Sequence, residues 1–465
     1  MEAASHPSNG SPMRPRLVWS LPAAMSLLCS ACAHYAPLPL PTHSPLRDLP
    51  AQRGGRGETT EPYTIGQVVS MALTENSDLK AARTQWAVAQ GQVKQAGILP
   101  NPQISGAFLP LLSGSGTVPA WNLGLAQGLR ALLTYKNTAR AARDDAGQIA
   151  ATIVWQEWQT AGKARQLATD LILTERSRPA YAQAYAMLNE RNAVLDKALA
   201  AGHTTLTAIA PDRVALQGAR AALDGMDQSI LSLRHQLNAL LGLSPDARLE
   251  LTAEPQLPPF DLAAVRAGLP TLADRRPDLL ALRLGYAASD ERVRAAILAQ
   301  FPDIVLGASV SSDNARVING GPNVQLGLPI FDRNQGNVAI ARATRAQLHA
   351  EYTARLAATT GEVGAMASEY EQLALQLARA RQELPAAVDA TRQAQIAFEQ
   401  KNLDARGYVD LVTNRYAKEQ EIMTLEQQLL DRQIAIQTLV GDGLPTASLP
   451  PAPTAGRVRM PGAGQ

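Results

Sequence analysis

A long internal repeat organises this chain of 465 residues. The segment NSDLKAARTQWAVAQGQVKQAGILPNPQIS, which begins at Asn76, aligns without a gap to RPDLLALRLGYAASDERVRAAILAQFPDIV, which begins at Arg276, 200 positions later. Two heptad series far downstream keep the same separation: Ile209, Leu216, Leu223 and Ile230 against Val409, Tyr416, Met423 and Leu430. Solenoid repeats are roughly 20–50 residues long, so a unit of this length is a duplicated half of a domain.

Each half is predicted to contain a helix, a β-hairpin and two long helices. In the first half, Thr64 and Gln67 have the spacing of a capping box, and one predicted helix runs from there to Pro100 and Pro102. Two strand-length segments follow, PQISGAFLPLL and VPAWNLGLAQGL, around the turn SGSG. In the second half, PDIVLGASVSS and PNVQLGLPIF flank the predicted loop DNARVINGG. Strands of about ten residues suit a tilted crossing of a bilayer.

Four such strands are too few to close a barrel of useful bore. An open sheet cannot face lipid either, because its edge strands would leave peptide groups without hydrogen bonds. Three copies of the chain would supply twelve strands and close the sheet. The alternative is that the hairpins pack in a soluble β-domain.

The remaining sequence is helical and long. Residues 131–201 and 337–401 contain few breaking residues besides Pro179 and Pro385, and each would extend roughly 100 Å as a continuous helix. Their alanine-rich heptads favour close-packed coiled coil. The helices are predicted to reverse in LAAGHTTL and FEQKNLDARGYVDL, with Gly202 and Asn402 in the left-handed conformation.

The N-terminus has the pattern of a secretory signal. Arg14 and Arg16 precede an apolar run, 17–28, that is too short to span a bilayer and ends in small residues. Translation from either Met1 or Met13 would produce this signal.

The only two cysteines, Cys29 and Cys32, form a C-x-x-C pair without the βαβ pattern of a redox motif or the second ligand pair of a zinc site. CSAC resembles the lipobox of bacterial lipoproteins, and this resemblance implies that Cys32 is lipidated. The alternative is an ordinary cleaved signal with an unmodified cysteine.

Composition excludes several function classes. A formal charge of +2 gives no electrostatic basis for binding nucleic acid. The six histidines are scattered and form no metal-binding motif. The sequence shows no nucleophile elbow, phosphate-binding loop or H-E-x-x-H motif. We therefore expect neither an enzyme nor a bound cofactor or metal.

The tandem halves, with LADRRPDLLALR, VQLGLPIFDRNQGNVAIARA and LNALLGL, resemble the TolC-type outer-membrane efflux proteins. ILPNP, FDRNQG and ELPAAVDATRQAQIAFEQ resemble its lipoprotein branches, including the heavy-metal efflux (CzcC-like) factors. The resemblance implies a mainly α fold of long helical hairpins with four strands per chain, and a homotrimer with a twelve-stranded barrel in the outer membrane. A helical tunnel would cross the periplasm to a membrane fusion protein, the periplasmic adaptor, and an inner-membrane RND-type pump.

The resemblance also implies roles for the hairpin tips. Contacts near the second tip would hold the channel shut, and the candidates are Asp404, Arg406, Tyr408, Asp410 and Arg415. The adaptor would dock on both tips, and the candidates are Gly202, His203, Thr204, Leu206, Lys401, Asn402 and Leu403. Alternatively, the charged members are solvated caps and exposed ion pairs worth under about 1 kcal/mol each.

These inferences divide the chain into a signal peptide (1–31), a Pro/Gly-rich tether (32–62), two repeats (63–250 and 251–442) and a disordered tail (443–465). The expected function is an exit duct for solutes, whether metal ions, drugs or others, that the pump selects. A lipid-anchored periplasmic scaffold or adaptor without a pore is the competing interpretation.

Overall fold

The computed structural model describes residues 35–48 and 61–444. The chain divides into two compact units, 1–45 and 46–465. Of the first unit, residues 35–45 are described and contain no helix or strand. The predicted signal peptide, Cys32 and most of the predicted tail lie outside the described residues. All elements named below belong to the second unit.

The elements follow the same order in both halves of the chain, which confirms the predicted tandem repeat of mainly helical structure. The first half has α1 (Ile65–Glu75), α2 (Ser77–Ala96), β1 (Gln103–Leu109), β2 (Ala120–Gly128), α3 (Arg130–Ala200) and α4 (Leu206–Leu241). The second half has α5 (Leu262–Gly268), a 3₁₀ turn (Leu269–Thr271), α6 (Leu272–Arg275), α7 (Pro277–Leu298), β3 (Asp303–Ser312), β4 (Ile318–Gly327), α8 (Gln335–Glu399) and α9 (Ala405–Val440).

The prediction of one continuous first helix is wrong, because the chain breaks at Asn76. Asn76 leaves the helical conformation (ψ 126°), its side chain accepts a hydrogen bond from Leu79 N, and its amide donates to Leu240 O. Arg276, 200 residues later, breaks the second half in the same way (ψ 125°). The following Pro277 disfavours a helical residue before it. Both halves therefore begin with short helical structure, one helix in the first half and three short pieces in the second, set apart from a longer helix.

The short helix α1 anchors the first half. Its predicted capping box is present, since Thr64 and Gln67 exchange side-chain and backbone hydrogen bonds. Its buried face joins residues of α3 and α4 in one apolar cluster: Ile65, Val68, Ala72, Ala164, Leu167, Ala168, Leu171, Ile172, Ile230, Leu237 and Leu241. Each such large side chain contributes about 1.5–3 kcal/mol when fully buried. The cluster fixes the ends of the first repeat relative to the middle of α3.

The two longest helices confirm the predicted long segments. Helix α3 has 71 residues and α8 has 65, and each continues through an internal proline, Pro179 or Pro385. At about 1.5 Å per residue, each is roughly 100 Å long. None of the helices in the described part of the chain is long and apolar enough to cross a membrane.

The four strands form one antiparallel sheet in the order β1-β2-β3-β4. Strand β4 begins at Ile318, so the predicted loop DNARVINGG is too long. The Asp313 carboxylate accepts hydrogen bonds from the backbone N–H groups of Ala315 and Val317, and Arg316 takes a left-handed φ of 66°. This tight turn lets the chain re-enter the sheet after only five residues, 313–317.

The two faces of the sheet differ in polarity. Directly paired residues lie on the same face, as in Ile104 with Leu125 and Leu306 with Val324. One face thus carries Ile104, Phe108, Trp121, Leu123, Leu125, Leu306, Val310, Val324 and Leu326. The other carries mainly small and neutral polar residues, among them Gln103, Ser105, Asn122, Ser309, Ser311, Asn319, Asn323 and Gln325. Asp303 is the only charged residue within the four described strands.

Gly307 lies where β2, β3 and β4 approach closely. A Cβ at Gly307 would lie 2.4 Å from Asn323 Oδ1 and 2.6 Å from Leu125 O, whereas a Cβ at Gly321 would meet nothing within 4 Å. We expect Gly307→Ala to lower the free energy of unfolding by about 1–3 kcal/mol through overpacking. Gly321→Ala is the matched control and should leave it nearly unchanged. Thermal melting of both purified proteins in detergent, followed by circular dichroism, tests this, and equal midpoints would contradict it.

Candidate functional site

The first helical hairpin reverses at residues 201–205, between α3 and α4. Gly202 has the predicted left-handed conformation (φ 74°), and its N–H donates to Leu199 O. The N–H of His203 donates to Ala198 O over 2.9 Å. These bonds satisfy carbonyl groups at the end of α3 that have no partner within the helix.

The second hairpin reverses at residues 400–404, between α8 and α9, and here the prediction is wrong by one residue. Lys401, not Asn402, is left-handed (φ 63°), and Asn402 N donates to Ala397 O over 2.7 Å. The same bonds as in the first tip are formed, but 199 residues later instead of 200. Lysine occupies this position at a cost of about 1–2 kcal/mol, which glycine would avoid.

The docking candidates lie at these two tips. Gly202, His203, Lys401 and Asn402 are exposed, Thr204 and Leu403 are half-buried, and the Leu206 side chain is 59% exposed. An exposed leucine beside polar turn residues is a contact that a partner protein can bury. Docking of an adaptor here remains a prediction.

The gate candidates do not form one cluster within the chain. Asp404 caps α9, because its carboxylate accepts a hydrogen bond from Gly407 N over 2.8 Å. Arg406 pairs with Asp410 along the same helix at 3.9 Å, and both are largely exposed. Arg415 pairs with Glu419 at 2.9 Å, not with either aspartate. Such pairs contribute under about 1 kcal/mol to the fold, so a gating role for these residues remains a prediction.

Tyr408 has a partner that sequence reasoning missed. Its ring stacks on Phe398 with centroids 5.2 Å apart, and the Arg191 guanidinium from α3 lies 5.1 Å from the Tyr408 centroid and 4.8 Å from that of Phe398. A cation over aromatic rings is attracted by about 0.5–2 kcal/mol. Arg191 therefore attaches the second hairpin to the first close to both tips.

A buried carboxylate holds Arg191 in place. The Arg191 guanidinium donates to Asp212 of α4, whose side chain is 1% exposed. The neighbouring Asn192 amide donates to the Asp212 backbone carbonyl over 3.1 Å. We call Arg191, Asp212, Phe398 and Tyr408 the Arg191 clasp. The sequence signal for it was an acidic residue three positions after the inward-facing Ile209, which places Asp212 on the buried side of α4.

Within the described residues, no group of three or more histidine, cysteine, aspartate or glutamate side chains is arranged to hold a metal ion.

Comparisons with known proteins identify similar sequences. The family model for the outer membrane efflux protein family matches residues 269–442. The cobalt-zinc-cadmium resistance protein CzcC of Cupriavidus metallidurans is 28% identical over 375 residues, covering 74% of this chain and 81% of CzcC. Outer membrane protein OprJ of Pseudomonas aeruginosa is 26% identical over 339 residues, covering 64% of this chain and 67% of OprJ.

A solved structure has the same fold. The CmeC outer membrane channel of Campylobacter jejuni superposes with a TM-score of 0.70 over 88% of this chain and 94% of CmeC, at 16% sequence identity. Together with the family match and the two relatives, this confirms the predicted resemblance to the TolC-type outer-membrane efflux proteins and the predicted, mainly helical fold with four strands per chain.

Proposed function

We propose that this chain, which is similar to the TolC-type outer-membrane efflux proteins over residues 269–442 and to their relative CzcC, is the outer-membrane channel of a tripartite efflux system. Three copies assemble around a common axis, and their sheets close a twelve-stranded barrel. The long helices continue the duct through the periplasm to an adaptor and an inner-membrane pump. Cys32 supplies a lipid anchor in the outer membrane.

One observation carries this proposal, namely a four-stranded sheet with an apolar face and two open edges. Strands β1 and β4 have a partner on one side only within the described chain. Unpaired peptide groups at a sheet edge seek another strand, and in lipid each costs several kcal/mol. Further copies of the same sheet satisfy both edges, and the apolar face then meets lipid while the neutral polar face lines the duct.

The helical part supplies the length of the conduit. Helices α3 and α8 each extend roughly 100 Å, and each returns through a partner helix, α4 or α9. The tips at Gly202 and Lys401 then lie at the far end of the duct, where an adaptor docks. The mechanism is passage without covalent chemistry, and the pump supplies both the energy and the choice of solute. Since CzcC is named for cobalt, zinc and cadmium resistance, divalent metal ions are one solute class to test.

The closed state is held near the second tip. In a trimer, three copies of Asp404 and Asp410 gather around the axis, and the Arg191 clasp keeps each second hairpin on its own first hairpin. Opening requires the second hairpins to move outward, so it must break the contact of Arg191 with Phe398 and Tyr408. The exposed pair of Arg406 and Asp410 is weak enough to exchange partners during that movement.

Two adjacent residues of β2 test the proposal. Leu123 lies on the apolar face and Asn122 on the polar face. We expect Leu123→Arg to prevent assembly in the outer membrane, because a cation on the lipid face costs about 2–4 kcal/mol per chain near the midplane. Asn122→Arg should assemble normally and shift the reversal potential of the channel towards anion selectivity.

The measurements are light scattering of detergent-solubilised outer-membrane protein and conductance in planar bilayers. A protein mass of three chains with conductance supports the duct. A monomer that dissolves without detergent, in which both substitutions are tolerated equally, would favour the scaffold without a pore.

A further inference from the structure

Two carboxyl groups meet in the packing of the second hairpin against the first, well away from the tips. Asp170 lies on α3 and is 7% exposed, and Asp431 lies on α9. Asp170 accepts a hydrogen bond from the Gln427 amide of α9 over 2.9 Å. Asp431 lies one helical turn after Gln427 on the same face of α9, which places its carboxyl group beside that of Asp170.

A hydrogen bond between these two carboxyl groups requires a proton on one of them. Two carboxylates can only accept hydrogen bonds, and Asp431 Oδ1 is buried with no partner. Burial and, after it, the charge and hydrogen-bonding contact of Asp170 together raise the pKa of Asp431 to about 7. Burial also raises the pKa of Asp170, although the bonds from Gln427 and Asp431 oppose the rise. The protonated Asp431 thus donates to the Asp170 carboxylate, as in acid pairs that share one proton.

The surrounding charges do not neutralise the pair. Lys163 of α3 and Arg432 of α9 lower the pKa of Asp431, but less than burial and Asp170 raise it. Arg432 is engaged by Glu369 of α8 at 3.1 Å. Three ion pairs engage other charges on these helices: Arg176 with Glu426, Arg234 with Glu175, and Arg178 with Asp227.

We propose that the Asp170–Asp431 pair is a pH-sensitive contact, which holds the second hairpin against the first while it retains one proton and loosens that packing when both acids are ionised. Its consequence for channel opening rests on the proposed function, whereas the titration of the pair does not.

The sign of the effect follows from linkage. The pKa of Asp431 is higher in the folded chain than the value of about 4 for an unfolded aspartate. The stabilisation is therefore complete below about pH 4 and is lost as the pH rises through about 7. In that window the folding equilibrium constant falls up to tenfold per pH unit for one proton. Above pH 7, two buried negative charges repel each other and α9 is held less tightly to α3.

The substitution Asp431→Asn separates the titration of the pair from ordinary packing. The asparagine amide can donate a hydrogen bond to Asp170 at every pH. In thermal melts of the full chain in detergent, we expect Asp431→Asn to melt above the natural protein at pH 8.5 and close to it at about pH 4, where the stabilisation by the natural pair is complete. Asp170→Asn is an independent second variant with the same expected trend. Asp389→Asn removes an exposed acid of α8 that pairs only with Arg392 within the helix, and it should follow the natural protein at both values.

A difference in melting temperature between Asp431→Asn and the natural protein that is independent of pH would overturn the proposal.

Planar-bilayer recordings then test the consequence for channel opening. We expect the open probability of the natural protein to rise above pH 7 and that of Asp431→Asn to stay low, whereas an identical response in both would refute the gating consequence. If no variant conducts at any pH, the proposed channel function fails, and the melts still decide whether the pair titrates.

Discussion

Replacing Gly441 with alanine is expected to destabilise the chain by about 2–5 kcal/mol. Gly441 ends α9 in the left-handed conformation, with φ at 79°, where a β-carbon costs about 1–2 kcal/mol. The added carbon would also lie 2.1 Å from the Trp158 ring of α3. Trp158 is 3% exposed and packs with Ala161 in an apolar cluster, so the ring has little room to move. Overpacking of this kind adds about 1–3 kcal/mol.

The control for this substitution is Gly242, the residue that ends α4 in the first half. Gly242 is also left-handed, with φ at 66°, but its added carbon would meet only Glu75 O at 3.4 Å. We expect Gly242→Ala to cost only the backbone term of about 1–2 kcal/mol. Urea unfolding of both variants in detergent, followed by tryptophan fluorescence, measures the difference. Equal losses of free energy would show that Trp158 moves aside without cost.

The contact between Gly441 and Trp158 shows why part of the fold could not be predicted from the sequence. The repeat and the apolar heptads depend on periodic residues, and they correctly predicted the long helices, the hairpins and the capping box at Thr64. They could not show that Trp158 covers the end of α9, because that contact joins residues nearly three hundred positions apart in sequence. Tertiary contacts of this kind are set by packing and not by local preference.

The two wrong predictions about the helices, at Asn76 and at the second tip, have similar causes. The break at Asn76 depends on its amide reaching Leu240 O, 164 residues away, which no local pattern records. The left-handed residue at the second tip is Lys401 because the repeat shifts by one residue, although asparagine is the better residue for that conformation. Lysine is kept there by the hydrogen bonds of the whole turn. Local propensity therefore located both tips and the left-handed Gly202, but not the left-handed Lys401.

The candidate site was predicted less well than the fold. Tyr408 was identified as a gate candidate, but Arg191, which lies over its ring, and Asp212, which pairs with Arg191, were not, since both lie in the first repeat. Exposed ion pairs were the alternative expectation for the charged residues of the second tip. In the structure Asp410 does pair with Arg406, but Arg415 binds Glu419 instead, because that glutamate lies one helical turn further along α9.

Arg191→Ala is expected to have the other large effect, on stability and on gating together. Its removal leaves the buried Asp212 carboxylate without a cation, which typically costs 3–5 kcal/mol when a buried pair is broken. Phe398 and Tyr408 also lose the guanidinium that ties them to α3. The second hairpin is then free to leave the first, so we expect spontaneous openings in planar bilayers that the natural protein lacks.

Arg220→Ala is the matched control in the same hairpin. Arg220 also lies over a tyrosine, 5.4 Å from the Tyr185 centroid, and pairs with Asp224, but both charged side chains are 59% exposed. Water solvates Asp224 when the Arg220 guanidinium is removed. The expected loss in the free energy of unfolding is therefore under about 1 kcal/mol, and the conductance should not change.

Two further variants separate the charge of the clasp from its shape. Arg191→Lys keeps the charge near Asp212 but loses the planar group over the two rings, so it should fold more stably than Arg191→Ala and still open spontaneously. The double variant Arg191→Ala/Asp212→Ala removes the stranded carboxylate, so it should regain stability without regaining closure. If the double variant also closed normally, the clasp would be a folding element only, and closure would have to come from contacts between copies at Asp404 and Asp410.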